Sequence, residues 1–214
     1  MKTLISLITF FTVINTSSSN AQLIRTYGLK AGFINAEQQW DYAPQSGMHA
    51  SGIGPIWGFD GGAFVELFTF QNFSLLTELH YIQKGRTVTV IATAAADNPQ
   101  GYIDLGPEEI KQRFEYISIP VLAKLRIEND MVTPYIALGP RLEYLVAHPP
   151  SPVYDKFNKI ELAVTGAAGV ELYFGFTPKF LFEVNYSLDL TNSYKNENVT
   201  VNNRSISFLF GVEF

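Results

Sequence analysis

The sequence predicts an all-β protein, an eight-stranded antiparallel up-and-down transmembrane β-barrel with short periplasmic turns and long extracellular loops. Three observations lead to this prediction. Apolar and polar residues alternate along most of the chain, which is the pattern of strands with one apolar face. The N-terminus has the layout of an export signal. The segments between the alternating runs are short and long in turn, as in bacterial outer-membrane barrels.

The composition is that of a charge-poor and aromatic-rich chain. Only 16% of the 214 residues are charged, and Phe and Tyr number 17 and 11. Ordinary soluble domains carry about 25% charged residues. The net charge of −5 gives no basic surface for nucleic acid, and the absence of Cys excludes disulfides and thiolate metal sites.

The first 21 residues are predicted to form a cleaved signal peptide. Lys2 precedes an apolar run from Leu4 to Ile14, and small and polar residues follow up to Ala21. The alternative is a retained membrane anchor, but the run is shorter than the ~18–20 residues of a spanning helix. We therefore expect cleavage after Ala21 and assign residues 22–214 to one outer-membrane barrel domain.

Four alternating segments in the first half of the mature chain are predicted to be strands. Each is about as long as a tilted membrane strand, ~9–11 residues. Their apolar faces comprise Tyr27, Leu29, Ala31 and Phe33; Phe59, Gly61, Ala63, Val65 and Leu67; Leu75, Thr77, Leu79 and Tyr81; and Ile117, Ile119, Val121, Ala123 and Leu125.

Four more segments repeat the pattern in the second half. Their apolar faces comprise Ile136, Leu138, Leu142 and Tyr144; Leu162, Val164, Ala168, Val170 and Leu172; Phe180, Phe182, Val184, Tyr186 and Leu188; and Ile206, Phe208, Phe210, Val212 and Phe214. The last segment must pair with the first to close the barrel, because a bilayer does not tolerate an unpaired sheet edge.

The connections separate a membrane barrel from a soluble sandwich. The second, fourth and sixth are short, with the sequences TFQN, ENDMVT and FGFTPK. The others are long and run from about Ile34 to Ile56, Gly85 to Gln112, Ala147 to Lys159 and Thr191 to Asn203. A soluble sandwich has no reason to segregate loop lengths in this way, whereas outer-membrane barrels do.

Charged residues occupy the face opposite the apolar one, which is the lumen of the predicted barrel. A narrow eight-stranded interior is filled by side chains, so charges there must pair. We also expect Tyr27, Trp57, Tyr81, Tyr144 and Tyr186, near strand ends, to form interfacial girdles. The predicted lumen charges are Lys30, Asp60, Glu66, Glu78, Lys124, Arg126, Arg141, Glu143, Glu171 and Glu183.

Seven motifs follow one another along the mature chain: YGLKAGF, ELHYIQKG, YISIPVLAKLRI, PYIALGPRLEYLV, GAAGVEL, FEVNYSLDLTNS and RSISFLFGVEF. This ordered set resembles the PorT-like outer-membrane β-barrel family of Bacteroidota. The resemblance covers nearly the whole mature chain and implies an eight-stranded outer-membrane barrel. It implies much less about activity: PorT itself is associated with the type IX secretion and gliding machinery, and most relatives have no assigned role.

No catalytic, cofactor-binding or metal-binding residue is predicted. The chain has no Gly-rich phosphate loop, no metal-spaced His cluster and no nucleophile elbow. His49 and His148 fall in predicted external loops. His80 shares the inward face with Glu78 and Lys84, where it is either a member of the charged network or, less favoured, a general base. Metal binding by Asp60, Glu66 and Glu78 has no support from their spacing.

Three functions remain open at this point. The favoured one is a non-enzymatic scaffold that presents surface loops or its periplasmic face to a protein partner. A channel is the second, although eight strands enclose little space. An outer-membrane lipid hydrolase or protease is the third. Outer-membrane lipid is an expected partner in each case, and the alternating last strand ending in Phe214 resembles the signal read by the outer-membrane assembly machinery.

Overall fold

The computed structural model describes residues 23–43, 53–70, 72–95 and 102–214. The predicted signal peptide and His49 lie outside these ranges, so both remain predictions. Within them, no helix combines the length and the apolar character needed to cross a bilayer.

Eight long antiparallel strands form a closed ring in which each pairs with its neighbours along the chain. The last strand pairs back with the first, from Gly28 opposite Glu213 to Tyr42 opposite Val199, so the predicted closure is confirmed. The ring strands are β1 (Ile24–Tyr42), β3 (Ile56–Phe70), β4 (Phe73–Ala95), β5 (Tyr102–Arg126), β6 (Val132–Ala147), β7 (Ile160–Leu172), β8 (Lys179–Asp189) and β10 (Val199–Glu213), and the two-residue strands β2 (Ile53–Gly54) and β9 (Tyr194–Lys195) pair with β4 and β10.

The two faces of the ring are inverted relative to a water-soluble barrel. On the outside, Phe33 is 68% exposed and Ile136 is 60% exposed. On the inside, every charged residue predicted to face the lumen is buried. A soluble barrel or sandwich would bury the apolar face and expose the charged one, so the burial confirms the membrane-barrel prediction.

The two ends of the ring differ as predicted, with one correction. The turn end has the short connections 71–72, 127–131 and 173–178. At the opposite hairpin end, much of what the sequence predicted as loop is strand: β1 runs on to Tyr42, β4 to Ala95, and β5 begins at Tyr102. The predicted loop from Gly85 to Gln112 is thus mostly a hairpin, because its Thr- and Val-rich run favours strand and pairs across to β5.

The aromatic residues expected in girdles lie on the outer surface. At the turn end, the rings of Tyr27 and Phe214 stack with centroids 6.1 Å apart. Toward the hairpin end, Trp57 stacks on Phe208 at 6.5 Å. Tyr144 and Tyr186 are exposed, and Tyr81 is half-buried.

Candidate functional site

The lumen contains three groups of buried charges stacked along the barrel axis. Alternation explains why they face inward: residues two apart on one strand, such as Glu78 and His80 on β4 or Lys124 and Arg126 on β5, lie on the same face. Some of these neighbours contact each other, as His80 does Glu78, and further partners come from other strands.

The central group is built around Lys30 of β1. Its ammonium lies 2.6 Å from Glu78 Oε1 and also contacts Glu183. The Tyr135 hydroxyl donates to Glu183 Oε2 at 2.7 Å. Buried ion pairs of this kind hold only where further hydrogen bonds satisfy the remaining polar atoms, and this group meets that condition at Glu183.

His80 lies between two carboxylates of the central group. Its Nδ1 atom is 2.5 Å from Asp60 Oδ1, and its Nε2 atom is 3.1 Å from Glu78 Oε2. The other oxygen of Asp60 accepts a hydrogen bond from Ser207 at 2.7 Å. Both ring nitrogens therefore face carboxylates, so the imidazole has no nitrogen directed at a substrate or a nucleophile.

The turn-end group joins two cations to two carboxylates. Lys124 Nζ lies 3.1 Å from Glu66 Oε2 and contacts Glu171. Arg126 contacts Glu66 and donates to Ser74 Oγ at 2.9 Å. The Lys124 ammonium also lies 4.2 Å from the centre of the Tyr135 ring, which connects this group to the central one.

The third group, called the upper group because it lies toward the hairpin end, has three carboxylates close together. Oxygens of Glu143, Glu161 and Asp189 lie within 4.8 Å of one another. Lys84 Nζ is 2.6 Å from Glu143 and 3.5 Å from Asp189, and Arg141 Nε is 2.9 Å from Glu143. Protein cations thus already compensate much of the charge that a hard metal ion would neutralise.

The sequence-predicted acids do not form one metal site. Asp60 and Glu78 meet at His80, whereas Glu66 belongs to the turn-end group. His148, outside the lumen, lies 3.7 Å from Asp155.

An aromatic cluster closes the lumen at the hairpin end. The connection between β6 and β7 carries a short 3₁₀ helix, Tyr154–Lys156, which directs Tyr154 and Phe157 inward, each 5% exposed. Phe157 stacks between Phe114 and Tyr194, with centroids 5.5 and 5.6 Å away. The Tyr154 hydroxyl donates to Gln112 Oε1 and accepts from Arg86 Nη2 at 3.1 Å. We call Tyr154 and Phe157 the plug residues.

Sequence reasoning missed the plug and part of the upper group. The plug residues lie in a segment without strand periodicity, although two aromatics three apart between prolines and Asn158 were a visible signal. Glu161 was not assigned to the lumen. It continues the inward face of β7 and is buried, with Tyr116 Oη 3.3 Å away.

Comparison with known proteins supports the fold found above. A family model described as outer membrane protein beta-barrel domain matches residues 18–195. A separate comparison with curated protein sequences finds no match.

Solved structures of other proteins have a similar fold, among them the following two. Neisserial surface protein A is 13% identical with a TM-score of 0.51, over 88% of this chain and 97% of that one. OprG from Pseudomonas aeruginosa is 10% identical with a TM-score of 0.54, over 90% and 97%. At these identities the likeness concerns the fold alone.

Proposed function

Because the chain belongs to the outer membrane protein beta-barrel domain family, we propose that this outer-membrane protein is a non-enzymatic scaffold. It presents the long hairpins at one end to another macromolecule. Exposed connecting segments held by a rigid framework are where binding residues tend to lie.

The observation that carries this proposal is the filled lumen. Lys30, Glu66, Glu78 and Arg126 are each at most 3% exposed, so little water reaches the interior. The plug residues cover the same interior at the hairpin end. A barrel of eight strands has room for side chains and little else, which leaves the outer ends as the surfaces available for interaction.

A narrow channel is the main alternative. Conduction would require the ion pairs of all three groups to rearrange and the plug to leave. Recording in planar bilayers separates the two functions: the scaffold predicts no stable single-channel conductance, and a reproducible conductance would reject it.

Enzymatic function has less support. Among the described residues, His80 is the only histidine in the lumen, and it directs both ring nitrogens at carboxylates. In the same part of the chain no Ser–His pair faces the lipid. Lipid deacylation or proteolysis by the refolded protein that disappears in His80→Ala would contradict the proposal.

We also propose a link to secretion or envelope functions of the PorT-like kind. Its support is the ordered set of strand motifs, including Ile119-Pro120 and Gly139-Pro140.

The test of the scaffold removes the hairpin and keeps the barrel. Residues 89–109 are replaced by an Asn-Gly turn, which joins Val88 to Ile110, residues that already pair across β4 and β5. Crosslinking in native outer membranes is expected to capture one partner protein reproducibly with the full chain. The shortened chain is expected not to capture that partner. Heat-modifiable gel mobility checks that both are folded. Equal capture by both would remove the support for hairpin presentation.

A further inference from the structure

The hairpin of β4 and β5 extends beyond the ring as a ribbon, and the two-residue β2 pairs with the other edge of β4 at Thr87 and Val88. The pairing of β5 with β6 ends at Glu115 opposite Ala147, whereas the pairing of β5 with β4 continues to Tyr102 opposite Ala95. In the described ranges, the outer edge of β5 above Glu115 has no strand partner. Such an edge presents unpaired N–H and C=O groups that can accept another strand.

This edge carries charges of both signs that have no ion-pair partner among the described residues. Glu109 and Lys111 are exposed on one face of β5, and their partners on β4 are Thr89 and Thr87. Neither charged side chain makes an ion pair or a side-chain hydrogen bond with another described residue. Ile110 lies between them on the opposite face and is 43% exposed.

We propose that this edge binds the same edge of a second copy of the chain, antiparallel and centred on Ile110. In that register Glu109 faces Lys111 of the second copy, and Lys111 faces Glu109 of the second copy. The two Ile110 side chains meet on the other face. Opposite charges at directly facing positions stabilise a strand pair, and like charges destabilise it.

The charge pattern selects this register over its neighbours. In an antiparallel pair of identical strands, one residue at the centre faces the same residue of the second copy. The nearest alternative registers that keep side chains on matching faces move this centre by one residue. Centring on Glu109 places the two Glu109 side chains opposite each other, and centring on Lys111 does the same for the lysines. Only the Ile110 register among the three avoids facing like charges.

Membrane geometry determines where the second copy is. In every copy β5 runs from the hairpin end toward the turn end. Two copies in one membrane therefore run β5 in the same sense along the membrane normal and cannot pair antiparallel. The second copy is thus in a facing membrane, and the contact is homotypic adhesion between two surfaces.

This inference rests on the proposed function, because it identifies the macromolecule bound by the hairpin end as a second copy of the chain. A single pair of edges is a small contact. Many copies on each of two surfaces act together, and their combined avidity exceeds the affinity of one contact.

The test uses the mature chain refolded into phosphatidylcholine vesicles, with vesicle clustering followed by light scattering. Trypsin cleavage of the ribbon from outside establishes that the hairpin end faces outward, and heat-modifiable mobility establishes folding. Wild-type vesicles are expected to cluster. Glu109→Lys vesicles and Lys111→Glu vesicles are each expected to stay dispersed, because like charges then face each other in every homotypic pair.

Mixing the two single variants is the decisive measurement. Each new lysine then faces a new glutamate, so mixed vesicles are expected to cluster as the wild type does. Lys195→Glu and Glu197→Lys are the matched controls, since these residues have the same spacing and exposure at the same end and are expected to leave clustering unchanged.

The inference is overturned if wild-type vesicles do not cluster, if either single variant clusters normally, or if the mixture stays dispersed. If vesicle clustering fails but crosslinking still depends on the hairpin and no conductance is seen, the scaffold function is retained and only the homotypic contact is rejected. A stable conductance or capture independent of the hairpin would instead contradict the scaffold itself.

Discussion

His80 Nδ1 lies 2.5 Å from Asp60 Oδ1 in the middle of the barrel lumen, and Glu78 faces the other ring nitrogen at 3.1 Å. The imidazole holds together two carboxylates of neighbouring strands that would otherwise repel each other. Its position therefore indicates a structural role, which mutation can test.

Replacing His80 by Ala is expected to destabilise the barrel strongly. The change leaves the buried Asp60 without its ion-pair partner, while Glu78 retains its contact with Lys30. Breaking a buried pair in this way costs about 3–5 kcal/mol. Urea unfolding in vesicles, followed by Trp fluorescence, measures the loss. His148→Ala is the control, since His148 is partly exposed and lies 3.7 Å from the exposed Asp155. Equal stability of both variants would show that the central group does not need His80.

Lys124 and Glu171 are expected to behave as a coupled pair. Lys124→Met removes the cation that contacts Glu66 and Glu171, and Glu171→Gln then removes one of the stranded charges. The double variant is predicted to be more stable than Lys124→Met alone, with a coupling of about 0.5–3 kcal/mol. A double-mutant cycle on unfolding free energies measures it. Strict additivity would contradict the pairing.

Removing a plug side chain is expected to lower stability without opening a pore. Phe157 packs against Phe114 and Tyr194, and truncation of a buried Phe costs about 3–5 kcal/mol. The ion-paired groups below still fill the lumen, so Phe157→Ala is predicted to give no stable conductance in planar bilayers. Val153→Ala, at an exposed position of the same connection, is the matched control for stability. Conductance in Phe157→Ala would identify the plug as the sole barrier.

Phe214 is predicted to matter for assembly. Phe214 donates its backbone N–H to Tyr27 O at 2.8 Å, accepts from Thr26 Oγ1 at 2.7 Å, and stacks on Tyr27. Phe214→Ser is expected to slow insertion in cells and leave periplasmic aggregate. Phe176→Ser changes an exposed aromatic of a turn and is expected to insert normally. Normal assembly of Phe214→Ser would remove the role assigned to this residue.

The sequence predicted the face of each strand but not the pairing of its charges. The alternation of apolar and polar residues along β5 was enough to place Lys124 and Arg126 inside, because successive side chains in a strand point to opposite faces. Which acid each of them meets depends on how far neighbouring strands are staggered around the ring, and no local pattern encodes that stagger.

The ends of the strands were harder to predict than their middles. The expected strands stopped where the alternation had reached the length of a membrane crossing, yet Thr87 and Val88 continue β4 well past that point. The plug was missed because Tyr154 and Phe157 pack through a turn of 3₁₀ helix, which has too few residues to show a period.

The inverted distribution of polarity ties folding to location. With Phe33 and Ile136 on the outside and Lys30 and Arg126 within, the finished barrel would expose in water a surface that aggregates. The hydrocarbon of the bilayer is the solvent that makes the native state the stable one. The chain therefore has no stable folded form in water before it reaches the membrane, and its stability cannot be defined apart from the lipid around it.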